Sequence, residues 1–395
     1  MFKNYVRDPT ALSPLNMTIS RVLLVTYLLW VLFSNSWNRI HRYPLIADRP
    51  NAYALQPLIP EVVLAYVHYL VWVTAIVLVL VAAGVYLRYT AFVASALICY
   101  FGLIRFQVSG TWSTHMFFAA SLLLLFFALY DEEDRCSIDG LRAVRRSETE
   151  SVTRHLQTPL TPRYRATPLT LFLVCLGFLY FGSGLAKMTV GGPGWISATN
   201  LGRHMYRPVE PGYAPEIRDL VLQFDVLLFV MAAMTIVVEI GFLVSIVIDR
   251  FFPMFIVLLI GFHVGIALLM GPVFLYTVVF LALFVNWERI IARVQPETSI
   301  DVVYDLDSVH ESILYFVKYI DVSETVWFYP QENAPMKLTD RNVVDEATIV
   351  LVRGDVTYIG YEAYVQLLRH IRVLTLLSFL LRVPPVATIG RRIVQ

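Results

Sequence analysis

Hydrophobic positions in this chain come in long unbroken runs, not with the alternation of amphipathic elements, and polar residues gather between them. Runs long enough to cross a bilayer fall at roughly 18–35, 62–86, 91–108, 114–130, 168–187, 225–248, 252–270 and 272–286. That predicts about eight spans. Gly271-Pro272 leaves a second count open, since a re-entrant kink there reduces the number to seven. After Trp287 the pattern changes. Asp301–Asp305 and Thr325–Tyr329 read as strands, Ala347–Tyr358 as a hairpin turning at Arg353-Gly-Asp355, and Ser308–Ile320 and Tyr361–Leu381 as helices. The chain therefore divides into a multi-span bundle over residues 1–290 and a small α+β domain over 300–395.

Composition supports a membrane class: of 395 residues 57% are hydrophobic and 15% charged. A net charge of +1, with no basic stripe outside the loops, argues against a nucleic-acid partner. Cys99, Cys136 and Cys175 lack metal-ligand spacing and imply no disulfide framework, and no metal is expected. Met1–Ser20 carries no cleavable signal pattern, so the first run is expected to stay as an anchor. With the N-terminus inside, the inner loops hold most of the cations, from Lys3 and Arg7 through Arg135–Arg165 to Arg293. The outer loops keep Arg39, Arg42, Arg49, Arg203, Arg207 and Arg218. Both termini are thus expected in the cytoplasm of a multi-pass cell-membrane protein.

That orientation brings several intramembrane polar residues to one depth. Lys187 ends the fifth run, just before Gly191-Gly-Pro-Gly194 and Trp195; His115 opens the fourth, Arg105 ends the third, and His263 lies in the outer half of the seventh. Holding an ammonium at mid-bilayer costs at least ~2.5 kcal/mol, so Lys187 must snorkel, pair or give up its proton. Two readings stay open, an interfacial anchor with Trp195 at headgroup level or a functional amine. Gly182 and Gly184 leave room for a neighbouring helix or a flat ligand. Glu239 reads as deeper, about 21 Å along its helix from the outer end. Arg21 reads as snorkelling to the inner surface. The loop Asp131–Ala166 reads as a solvated connection with a short amphipathic helix near Ile138–Arg146. Thr189–Phe224, mixed aromatic and basic, suits a lid or a headgroup contact equally.

Several of these stretches, in order over residues 15–290, resemble the membrane portion of the vitamin K-dependent γ-carboxylase family, whose bacterial and archaeal relatives are called horizontally transferred transmembrane domain proteins. They are Ser113-Thr-His115 with Tyr130–Leu141 and its Ser137-x-Asp-Gly140 turn, Gly184-Leu-Ala-Lys187-Met with Trp195, and Phe262-His263. The resemblance implies that Lys187 is a base toward a reduced quinone of the menaquinone or vitamin K hydroquinone type. It also implies oxygen-dependent carboxylase or epoxidase chemistry on a carboxylate, peptide or protein at the outer face. A lysine desolvated among apolar helices can accept a proton, which is compatible. His115 and His263 join Lys187 as catalytic candidates, and Arg105, Gly184 and Trp195 as cofactor-binding ones. The alternative is a non-catalytic membrane protein that binds a lipid, quinone or exported peptide and carries a cytoplasmic docking domain. A transporter is the third reading, weakened because no internal repeat is visible.

Nothing in this sequence resembles the family's large C-terminal domain. Residues from Asp301 instead resemble a thioredoxin-like DCC-type thiol-disulfide oxidoreductase domain, with Tyr304-Asp-Leu-Asp307 at its Tyr-Asp-Gly-Asp. Where that domain has its two cysteines this chain has Ser308 and Glu311, which cannot exchange disulfides. The implied role is regulation, docking or a structural remnant.

Overall fold

The computed structural model describes residues 14–34, 61–109, 115–129, 137–140, 142, 156, 167–206, 212–248, 251–272, 274–285, 287–295, 298–305, 311–335 and 349–394. Contacts divide the chain into two compact units. The first is built mainly from 19–132 and 164–285, the second from 286–395 with 13–18 and 133–163.

In the first unit the helices are α1 (Pro14–Ser34, whose first turn belongs to the second unit), α2 (Glu61–Ala65), α3 (Val67–Ala83), α4 (Leu87–Ser109), α5 (His115–Leu129) and α6 (Thr167–Gly191). They continue with α7 (Ala198–Tyr206), α8 (Pro215–Val221), α9 (Asp225–Val247), α10 (Phe252–Met270) and α11 (Leu275–Ala282). Five of them, α1, α4, α6, α9 and α10, are long and apolar enough to cross a membrane. Large apolar side chains such as Trp72, Ile76, Phe92, Phe229 and Val257 point outward, a surface suited to lipid and not to water. This unit has the make-up of a multi-pass membrane protein.

The expected eight spans are not all matched by long helices. The second run breaks at Tyr66 into α2 and a 17-residue α3, the fourth gives the 15-residue α5, and the last gives only the 8-residue α11. At 1.5 Å per residue α11 covers about 12 Å, well short of the ~30 Å hydrocarbon core. Its start is set by Gly271, which ends α10 at φ +96, followed by Pro272. Arg21 does not reach the surface as expected. It is only 2% exposed.

Close helix pairs hold the bundle. Ser95 and Ser121 exchange hydrogen bonds between α4 and α5, Oγ to the opposite carbonyl at 2.8 and 2.9 Å, the polar glue expected where lipid offers no competing partner. Along α6, Gly177 lies against Leu243 and Ile246, and Gly184 against Ile240, so α6 and α9 run antiparallel in close contact. A side chain at Gly241 would strike the Phe255 ring, which sets α9 against α10.

The expected loop 189–224 is largely helical. Gly192, at φ +63, turns the chain out of α6 into a 3-10 turn at Pro193–Trp195; α7 and α8 follow. On α7, Leu201 and Met205 are buried against Leu228, Ala232 and Leu269, while Arg203 and Tyr206 stay exposed. Residues 212–214 cross the end of α10, where Ala214 N–H donates to Leu268 O at 2.9 Å.

The second unit begins at 286, earlier than the sequence boundary, because α12 (Trp287–Val294) is tied to it. Ile291 is buried, and Gln295 at its end donates to Ile320 O and accepts from Ser323 N–H. The order continues β1 (Ile300–Tyr304), α13 (Glu311–Ile320), β2 (Val326–Pro330), β3 (Ile349–Arg353), β4 (Val356–Ile359), α14 (Tyr361–His370), α15 (Thr375–Leu381) and α16 (Pro384–Val394). The four strands lie in the order β2-β1-β3-β4, with β1 parallel to β2 and antiparallel to β3, and β3 antiparallel to β4. The hairpin turns at Gly354-Asp355, with Gly354 at φ +60, where the sequence placed it. Asp321 starts β2 by accepting from Thr325 Oγ and Val326 N–H. The expected helix Tyr361–Leu381 is two helices, bent by 115° at the 3-10 turn Arg372–Leu374. Of the expected helix near Ile138–Arg146, residues 138–140 and 142 are helical and the rest lies outside the described residues.

Candidate functional site

On α6 the side chains of Tyr180, Ser183 and Lys187 follow at i, i+3 and i+7, which places them on one helix face. On α9, Met231, Met234, Thr235, Val238 and Glu239 do the same. These two faces, with α10, parts of α7 and α11, and Ala119 of α5, line a cavity of about 1080 Å³ within the first unit. Its walls are mainly apolar, and a few polar groups converge on it, the usual make-up of a small-molecule site.

The strongest polar feature is an ion pair. Lys187 Nζ lies 2.6 and 2.7 Å from the two carboxylate oxygens of Glu239 and 2.8 Å from Ser183 Oγ. Those three acceptors match the three N–H donors of an ammonium. The Glu239 side chain is 5% exposed and that of Lys187 25%, so one partner is buried and the other borders open space. Ser183 Oγ also donates to Glu239 Oε1 at 3.2 Å, which closes a three-membered network. Gly184 makes this possible. An added Cβ there would come within 2.8 Å of Ile240 and 3.1 Å of Glu239, so only glycine lets the α6 backbone approach α9 at this level.

Trp195 folds back over Gly191, and Lys187 Nζ sits 5.5 Å from its ring centroid, within cation–π range. Asn200 Nδ2 holds the Trp195 carbonyl at 3.2 Å, fixing the turn that carries the ring.

A second polar pair faces the same cavity from further along the helices. Tyr180 Oη and His263 Nε2 are 2.7 Å apart. His263 is 7% exposed, its ring packs near Phe262 and Phe274, and its buried Nδ1 has no hydrogen-bond partner. Leu179 and Val257, also on the cavity wall, are exposed.

Of the residues singled out in the sequence, Lys187, His263 and Trp195 meet at this cavity. Gly184 supports it from behind by its contact with α9 and does not line it. Arg105, on α4, is not among the described lining residues. His115 opens α5 one turn before the lining residue Ala119, and its side chain lies outside the described residues. Tyr180 and Ser183 were not singled out, although their spacing of seven and four residues from Lys187 was a usable signal. Glu239 was noted but set deeper than Lys187. Extending the α6–α9 register shows α9 starting about seven residues, or ~10 Å, beyond the end of α6. Depths counted from helix ends are therefore not comparable, and the lysine side chain spans the remaining ~5 Å. Among the described residues, no group of three or more His, Cys, Asp or Glu side chains could hold a metal ion.

Comparison with protein-family models, with curated proteins and with solved structures returns no match.

Proposed function

We propose that the first unit binds a reduced quinone of the menaquinone or vitamin K type in the cavity, and that Lys187 with Glu239 takes up a hydroxyl proton from it. The observation that carries this reading is the placement of Lys187, Glu239 and His263 on the wall of one largely apolar cavity. The fit of the group rests on the same site. An apolar chamber suits an amphiphilic ring, and the Lys187 ammonium, which borders open space on the same wall, gives one of its oxygens a charged partner. When bound, a reduced quinone supplies hydroxyl protons and electrons for reaction with oxygen.

The chain's part is proton handling. Lys187 and Glu239 together are neutral, whether the shared proton sits on Nζ or on the carboxylate. One further proton gives the pair a single positive charge beside the ligand oxygen, and this holds the ionised ligand in place. Ser183 orients both groups. The reaction class this supports is quinol- and oxygen-dependent modification of a carboxylate or peptide at the outer face, in line with the γ-carboxylase-like resemblance. On the same orientation, both termini face the cytoplasm.

Protein purified into nanodiscs with a reduced naphthoquinone should consume oxygen, and Lys187→Ala or Glu239→Gln should slow uptake about 100-fold or more. Unchanged uptake in either variant rejects the proton-acceptor role. The completeness of the ion pair favours one other reading, a non-catalytic binder of lipid, quinone or exported peptide. It predicts ligand retention with no oxygen uptake in any form of the protein.

For the second unit, the parallel β1–β2 pair, the β3–β4 hairpin and the order β2-β1-β3-β4 support a thioredoxin-like ancestry. Glu311 opens α13 where the resembled domain has a cysteine; Ser308 lies outside the described residues. Without the paired cysteines of the resembled domain the unit serves docking, regulation or structure.

A further inference from the structure

The C-terminal stretch from Ala363 to Gln395 contains five arginines and no Asp or Glu. All five, Arg369, Arg372, Arg382, Arg391 and Arg392, are exposed; Arg382 is paired with Glu362, just before this stretch, at 3.2 Å. Interleaved with them, Leu376, Phe379 and Leu380 on α15, Val383 in the turn after it, and Val386 and Ile389 on α16 are also exposed, Leu376 at 75%. Taken as one run, 361–381 is apolar enough to pass for a membrane span, but it cannot be one in this fold. Its first half is α14, with Val365, Leu367 and Leu368 buried in the α/β unit, and the chain then bends by 115°. The apolar second half is left facing outward on a fixed support. Tyr361 Oη donates to Leu381 O at 2.7 Å, and Gly390 packs directly against the Tyr361 ring, which clamps α15 and α16 to α14.

We propose that α15 and α16 form a docking surface for an anionic lipid leaflet, with the apolar side chains at the level of the acyl chains and the arginines among the headgroups. Basic helices with exposed Leu, Phe and Ile bind such surfaces by combined apolar burial and electrostatic attraction. The chain's own spanning helices keep a bilayer within reach of this unit at high effective concentration. Arg372 and Arg382 bracket the apolar α15, and Arg391 and Arg392 lie on α16 beside Val386 and Ile389, so positive charge borders the apolar side chains on both helices, as an anionic leaflet requires.

The test uses the full chain in nanodiscs, with the native cysteines replaced and a fluorophore on a single cysteine at Leu376 or Ile389. A cysteine at Trp327, exposed on β2, serves as the water-facing control. Brominated acyl chains report lipid contact and iodide reports water contact. The proposal expects quenching by brominated chains at 376 and 389, at least roughly threefold stronger in discs with anionic lipid than in neutral ones. In Arg391→Glu/Arg392→Glu it should fall toward the level at 327. These exposed positions permit charge reversal without disturbing the core, and unchanged retention volume checks folding. Iodide quenching at 376 and 389 equal to that at 327 in both disc types overturns the proposal. So does chain quenching indifferent to lipid charge and to charge reversal, or protection from both quenchers, which would mean that a second copy or another protein covers the face.

Discussion

Removing one partner of a buried ion pair costs more than the pair contributes, because the other charge is left without compensation. Lys187→Met strands a carboxylate that is 5% exposed, and the expected loss is about 2–3 kcal/mol, below the full buried-pair range because the lysine borders open space. Lys187→Met/Glu239→Gln removes both charges and should recover at least half of that loss. Thermal unfolding in detergent, followed by tryptophan fluorescence as a double-mutant cycle, measures the coupling; additive losses would mean the two groups do not interact. At this scale the sequence was partly legible. A lysine one turn inside a helix end, ahead of Gly-Gly-Pro-Gly, marked itself as unusual, and an acid within an apolar run called for a partner. The pairing itself depends on where two helices start relative to each other, which no local pattern encodes.

Among the elements, the contact of α6 with α9 sets the site. Gly184→Leu would push the helices apart by the width of a side chain, with an expected cost of about 1–3 kcal/mol and loss of the Lys187–Glu239 contact. Crosslinking between cysteines at 177 and 243, which flank the same seam, should fall in Gly184→Leu, and unchanged crosslinking would contradict the account. In the second unit, α14 holds His370 against Thr325, Nε2 to Oγ1 at 3.3 Å, beside Asp321. Burial, then the Arg353 charge, pushes the His370 pKa below its usual value, while Asp321 opposes them. The folded form therefore resists protonation. As pH falls through about 6.5 the unfolded chain binds a proton that the fold refuses, so stability present above that pH is lost below it. Asp301, whose carboxyl is raised by burial, acts in the opposite sense at lower pH. Hydrogen exchange of the β1 and β2 amides in the full chain should speed up from pH 7.5 to 5.5 after correction for intrinsic rate, and His370→Gln should flatten that change. An equal change in both proteins would exclude His370 as the source. Strands and hairpin were readable from alternation and from Arg353-Gly-Asp355. The break after His370 was not, because residues 361–381 satisfy a helical pattern throughout and only packing against the sheet decides where the chain turns.

For the whole molecule, the change in hydropathy after Trp287 pointed to an apolar multi-pass part followed by a small α+β one, while contacts also assign 13–18 and 133–163 to the second unit. The number of spans was not fixed by hydropathy, since an apolar run can make a spanning helix such as α9, or an eight-residue helix such as α11 after a glycine–proline break. The cavity lies wholly in the first unit and belongs to no single motif. It forms because three helices present small, apolar and polar residues at matching turns. Its proposed occupant is the claim on which the functional account depends. Mass spectrometry of organic extracts from protein purified in mild detergent measures it directly. The account predicts a prenylated quinone bound near one per chain in the native protein and at least tenfold less in folded Lys187→Met/Glu239→Gln. No quinone in the native protein, or equal amounts in both, would contradict it.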